Sequence, residues 1–303
     1  MLHSVSEDKQ PISLHSEALK RIVRRVDDLV GGRMGDGCKT PVSHFGQVAC
    51  VKELRLRLVP FFEPCVIFVL SGIKHLGDEV VNEGGCLAIP APTNFHMGNT
   101  PNPTTGHYQA LVFPFTPEDI DHVRDVLITN GTILPLERAH KNIVTYPFDA
   151  DALDALDHYL QSGVTDSPAR VQHRKREILL ILAERDPRIL TLAGGVPGWS
   201  QRLRTLFAED PAHAWLMGDV CKHLAVTEST LRRALRKEDT SFREVLSEFR
   251  LSNALMAVLM SSAPIYQIAH DNGFQSVSRF TENFRKRFGT TPTDVRTRLP
   301  ETG

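Results

Sequence analysis

Ser229, Thr230, Arg232, Arg233 and Arg236 fall within one short stretch of the chain, and Ser276, Ser278, Arg279, Glu282 and Lys286 within another. At helical spacing each set gives a polar stripe of hydroxyls and cations. Guanidinium and amine groups neutralise phosphates and donate to guanine O6 and N7, while a carboxylate accepts from cytosine N4. Glu282 also admits the opposite role, repelling phosphate and acting by exclusion. The chemistry on offer is recognition of a nucleic-acid edge, with no constellation for making or breaking bonds. An isolated stripe of this kind is usually a solvated helix face; it is the duplication that points to recognition.

The two stripes belong to an internal repeat. Val220 pairs with Ile268 and Cys221 with Ala269 at one offset, and Leu231 with Phe280 and Leu235 with Phe284 at an offset one residue longer. The extra residue falls in the turn. Each copy has a short helix, a small turn residue (Ala225 or Gly273), an apolar plug (Val226 or Phe274), a hydroxyl residue near the next cap (Thr227 or Ser276) and a second amphipathic helix. That is the order of features in a helix-turn-helix, over approximately residues 216–237 and 265–288. Leu231 and Leu235, and Phe280, Phe284 and Phe288, should anchor the second helices and leave the polar stripes outward. Arg285 also lies on the outward face of the second copy. Between the copies, 241–260 lacks Gly and Pro and reads as one helix. Twenty residues span about 30 Å, close to the roughly 34 Å between major-groove faces on one side of B-DNA.

Residues 215–299 resemble the DNA-binding domain of the AraC/XylS family of transcription regulators. The resemblance is carried by Leu231-Arg232-Arg233-Ala234-Leu235-Arg236-Lys237-Glu238, Thr240-Ser241-Phe242, Ile268-Ala269, Gly273-Phe274, Ser278-Arg279-Phe280 and Phe284-Arg285-Lys286-Arg287-Phe288-Gly289 with Pro292. Two positions depart from the family pattern. Asp239 stands where a helix-ending Gly is common, and Asp tolerates the left-handed conformation better than most residues. Val295 stands where Tyr usually precedes Arg296, a site expected at the periphery. The resemblance implies a sequence-specific regulator, with activation favoured, whose partners are promoter or operator double-stranded DNA and RNA polymerase.

The rest of the chain must position and control these helices. From about Val48 to Phe115 the pattern is β. Leu54, Leu56 and Leu58 alternate with Arg55 and Arg57, and Val66–Leu70 is a continuous apolar run suited to a strand buried on both sides. Gly77-Asp78 reads as a hairpin turn. Glu63–Gly72 with Leu76–Val80 is similar to the cupin-like β-barrel of one AraC subgroup, which implies a small-molecule effector within the barrel. From Pro117 to Leu192 the period is helical. Leu153, Leu156 and Leu160 form a narrow stripe on Asp151–Gln161 that suits a partner helix, so a homodimer is expected.

The fold expected is α+β multidomain: an N-terminal cupin-like β-barrel with a helical extension over 1–196, for effector sensing and dimerisation, then a C-terminal all-α domain with two helix-turn-helix motifs over 197–303. The boundary is set at Gly194-Gly195 and Pro197-Gly198. Composition agrees with a globular chain of two domains: 303 residues, 41% hydrophobic and 23% charged. The net charge of -1 hides an asymmetry. Residues 200–303 hold 15 basic against 12 acidic side chains, and the preceding residues 20 against 24.

Five scattered cysteines without C-x-x-C spacing fit a reducing cytoplasm, and no apolar run is long enough for a membrane span. Cys65 and Cys86 have apolar neighbours and read as unreactive thiols. His44, His75, His96 and His107 lie in the β region, but the paired H-x-H of a cupin metal site is missing. No metal, cofactor or enzymatic activity is therefore expected. Two alternatives stay open: a cupin enzyme fused to a DNA-targeting domain, and an architectural DNA-binder without a ligand.

Overall fold

The computed structural model describes residues 11–31, 46–132, 143–165, 167–192 and 198–300. Helix α1 (Pro11–Gly31) is followed by eight strands: β1 (Gly46–Cys50), β2 (Leu54–Phe61), β3 (Cys65–Ser71), β4 (Ile73–Leu76), β5 (Glu79–Asn82), β6 (Gly85–Ile89), β7 (Thr93–Thr100) and β8 (Tyr108–Pro114). Then come α2 (Pro117–Thr129), β9 (Val144–Pro147), α3 (Ala150–Thr165), α4 (Pro168–Arg185) and a 3-10 turn, Pro187–Thr191. Seven more helices complete the chain: α5 (Trp199–Glu209), α6 (Met217–His223), α7 (Glu228–Lys237), α8 (Phe242–Met260), α9 (Ile265–Asp271), α10 (Val277–Phe288) and α11 (Pro292–Arg296). His44, Cys38, Gly194, Gly195 and Pro197 lie outside the described residues, and with them most of the expected boundary.

The strands form two antiparallel sheets, β1-β8-β3-β6-β9 and β2-β7-β4-β5. Strand β3 is buried along its whole length because its two faces serve two cores. Cys65, Ile67 and Val69 point between the sheets, against Leu54, Leu56, Leu76, Met97 and Tyr108. Val66, Phe68 and Leu70 point the other way, into a core completed by α1 to α4. Lys74 and Leu76 share the inward side of β4, whose hairpin to β5 closes through Gly77-Asp78 with Leu76 opposite Glu79.

Three expectations need correcting here. The region after Pro117 is not purely helical: β9 adds a strand on β6, with Cys86 opposite Tyr146. Leu58 does not continue the alternation of β2. The register shifts between Leu56 and Val59, so Arg57 and Leu58 together stand opposite a single residue, and Leu58 takes φ 47° with 43% exposure. Val59 assumes the inward place. The stripe of Leu153, Leu156 and Leu160 is buried inside this chain by its own neighbouring helices, at 2% exposure or less, and so offers no dimer face.

Charged pairs lock the helical layer. Asp119, which completes a capping box with Thr116 at the start of α2, accepts from Arg176 Nε at 2.8 Å, from Gln172 and, at 3.5 Å, from Lys175 Nζ. Burial pushes its carboxyl up, but Arg176, Lys175 and the Thr116 N–H outweigh this and hold it below the ordinary value. Among the described residues no helix is long and apolar enough to cross a membrane.

Candidate nucleic-acid interface and the barrel interior

The two halves of the helical region are built alike. Thr227 caps α7 by accepting from the Thr230 N–H, and Ser276 caps α10 by accepting from the Arg279 N–H. Ala225 and Gly273 occupy the same place in the two turns and share a left-handed backbone, at φ 52° and 72°. Gly273 adopts this conformation without strain, and a side chain there would press on the Arg250 guanidinium. Asp239 is left-handed at φ 52°, as its place after α7 demands. Val295, expected at the periphery, is instead fully buried: α11 folds it back onto the cluster of α8 and α10.

Helices α7 and α10 are seated on opposite ends of α8. Leu231 and Leu235 of α7 join Phe207, Val220, Phe242, Val245 and Phe249 in one core. Phe280, Phe284 and Phe288 of α10 join Leu251, Ala254, Leu255 and Val258 in another, which runs on into the barrel. The connector is one helix of 19 residues capped by Ser241, about 28 Å long. Helix α5 belongs with α7, because Glu238 at the end of α7 accepts from the N–H groups of Trp199 and Ser200, at 2.6 and 3.0 Å.

Every residue expected on the reading faces is at the surface except Thr230, which is half-buried. Ser229, Arg232 and Arg236 share one stripe of α7, with Arg232 donating to Glu228 at 3.0 Å. Arg233 lies on the flank, where with Thr230, Lys237, Trp199 and Glu238 it lines a cleft of about 300 Å³. On α10, Ser278, Glu282 and Lys286 run along one stripe and line an open cleft of about 730 Å³ with Val277, Thr281 and Arg285. Arg279 is exposed beside this stripe, while Ser276 spends its hydroxyl on the cap. Arg287 is not free for a groove, since it donates to Glu248 at 2.6 Å and to Asn94 of β7 at 2.8 Å. Sequence reasoning missed Thr281, Thr291 and Arg57, which line the larger cleft as well.

The barrel interior is a second polar site within an apolar shell. Lys74 is 2% exposed and donates to Asn99 Oδ1 at 2.8 Å. Among the described residues, Asn99 Nδ2 and Tyr108 Oη are buried nearby without a partner. Burial pulls the Lys74 pKa down to about 7. The same burial pushes Cys50 and Cys65 up to about 12, so neither thiol supplies a counter-anion at neutral pH. Cys86 is buried and raised alike, which accords with inert thiols. Among the described residues no three His, Cys, Asp or Glu side chains gather as a metal set; His75 bonds Thr100, His107 a backbone carbonyl, and His96 is exposed.

A sandwich of strands feeding a pair of helix-turn-helix units with exposed basic stripes defines a DNA-binding transcription regulator. The helix-turn-helix domain family matches residues 220–298. The chain is 30% identical over 187 residues to the regulator YdeO of Escherichia coli K12, covering 57% of this chain and 73% of YdeO. It is 36% identical over 97 residues to the urease operon transcriptional activator of Escherichia coli, covering 32% of this chain but only 33% of that protein. In fold it is similar to ToxT of Vibrio cholerae, with a TM-score of 0.60 at 15% identity over 86% of this chain and all of that one. ToxT has also been crystallised with an unsaturated fatty acid bound. The chain belongs to the AraC family of transcription regulators.

Lys74 gives a pH signature with a definite sign. Between about 7 and 10.5 the unfolded chain binds a proton that the folded chain does not, so stability rises with pH, and the cost of burying the charge is fully present below 7. The raised thiols oppose this only above about 9. Lys74→Met should raise Tm by several degrees at pH 7 and flatten its rise between pH 7 and 9, read by thermal denaturation of both proteins. An unchanged pH profile would contradict the buried lysine.

Proposed function

We propose that α7 and α10 enter successive major grooves of one duplex, and that the barrel holds a small-molecule effector that governs this. The carrying observation is the duplication itself: two capped helices with outward cations, set on the two ends of one uninterrupted helix. Ser229, Arg232, Arg233 and Arg236 in α7, and Ser278, Arg279, Glu282 and Lys286 in α10, take the base and phosphate contacts; Thr230 and Ser276 hold the helix starts. We place the division between sensor and reader at 197, a reading supported by the docking of α5 on α7 through Glu238. Activation through RNA polymerase, in the cytoplasm, follows the family resemblance.

The barrel interior favours binding over catalysis, because it offers a lysine, a phenol, an amide and thiols in place of converging metal ligands. A buried ammonium beside an unpartnered amide and hydroxyl suits an acid group at the end of an apolar body. The fatty acid carried by ToxT has that chemistry. This favours an effector-controlled regulator over a ligand-free architectural protein or an enzyme.

Selection from random-sequence duplexes by the full chain supplies the cognate site for a titration at fixed salt. There Arg232→Ala should cost about 1 to 3 kcal/mol and relax preference at one base pair. Unchanged affinity would refute its assignment. For the barrel, oleate should raise the Tm of the wild type and leave that of Lys74→Met unmoved; no shift in the wild type would contradict an acidic effector.

A further inference from the structure

The larger cleft has two walls, and only one of them belongs to the helix-turn-helix. Opposite Ser278, Thr281, Glu282, Arg285 and Lys286 of α10 stands Arg57, from strand β2 of the barrel. It reaches there by an irregularity in that strand. Between Leu56, opposite Met97, and Val59, opposite Phe95, the two residues Arg57 and Leu58 face one residue of β7. A bulge of this kind re-aims a side chain. Leu58 carries the strain: its backbone is left-handed at φ 47°, a region leucine seldom adopts. Such strain persists where the surrounding structure holds it and clusters at functional sites.

The stem of Arg57 lies on Gly289, close enough that a side-chain carbon there would sit 2.9 Å from Arg57 Cδ. Gly289 ends α10, where the helix dipole favours a cation. The guanidinium is thereby held at the cleft, exposed and without an ion pair among the described residues. Around the cleft stand three cations, the hydroxyls of Ser278, Thr281 and Thr291, and one carboxylate. Donors and positive charge in that proportion suit a phosphate-bearing strand.

We propose that Arg57 is a DNA phosphate contact, so that the sensory barrel itself forms one edge of the DNA interface beside α10. This rests on the reading that α10 lies in a groove, and it goes further by assigning a DNA contact to the effector domain. It also supplies charge where the reading half is poor in it. A ligand that shifts β2 then acts on DNA affinity through one side chain.

A phosphate contact is independent of sequence, so a long mixed-sequence duplex serves as the probe. The full chain is titrated by fluorescence anisotropy between about 50 and 200 mM salt. Arg57→Ala and Arg57→Gln should reduce the salt slope of log K by about 0.9 and weaken binding several-fold, while Arg57→Lys keeps the slope. Lys286→Ala reports on α10 separately. A reduced slope for Lys286→Ala with none for either neutral Arg57 variant would overturn the Arg57 contact and leave α10 in place. Unchanged slopes for all would overturn both. Tighter binding by Arg57→Ala would mean that the arginine blocks the groove, and would overturn the proposal too.

Discussion

Phe280, Phe284 and Phe288 must be covered, and a single helix cannot cover them. Aromatic side chains bury on the order of 150 to 250 Å² each, and all three are completely inaccessible here. The cover comes from the C-terminal half of α8 on one side and from a core continuous with the barrel on the other. This shared apolar cluster fixes where α10 stands. Helix α7 has a core of its own with α5, α6 and the N-terminal half of α8. Among the described residues, helix α8 contributes to both cores, its N-terminal half to one and its C-terminal half to the other.

The same cluster ties α10 to the barrel. Polar links reinforce it: Val51 N–H donates to the Arg298 carbonyl at 2.8 Å, and Arg287 bridges Glu248 and Asn94. Arg204 of α5 lies over the Phe62 ring at 4.2 Å. Leu54, Leu56 and Val59 line the interior of the strand whose bulge carries Arg57, so that bulge lies directly on the barrel core. The buried Lys74 lies on β4, which pairs with β7, which in turn pairs with β2.

Much of this was legible in the sequence where the signal is local. The caps Thr227 and Ser276, the turn residues Ala225 and Gly273, the left-handed Asp239 and the uninterrupted α8 all follow from neighbours a few residues apart. The exposed stripes of α7 and α10 follow from helical spacing. What escaped depends on distant partners. Leu58 fits an alternation that the pairing with β7 breaks. Val295 looks peripheral until α11 folds back. The leucines of α3 form a stripe that serves equally well within a chain or between chains, and burial decided for the former. Strand β9 is four residues long and has meaning only beside β6. Arg57 reads as an ordinary wet-face residue, because nothing near it in sequence announces α10.

The central claim is that α8 holds two reading helices at the spacing of adjacent major grooves. Hydroxyl-radical footprinting of the full chain on a duplex selected by it tests this most directly. Two protected tracts on one face of the DNA, about 10 to 10.5 base pairs apart, are the expected result. A single tract, or two tracts at a spacing that puts them on opposite faces, would contradict it.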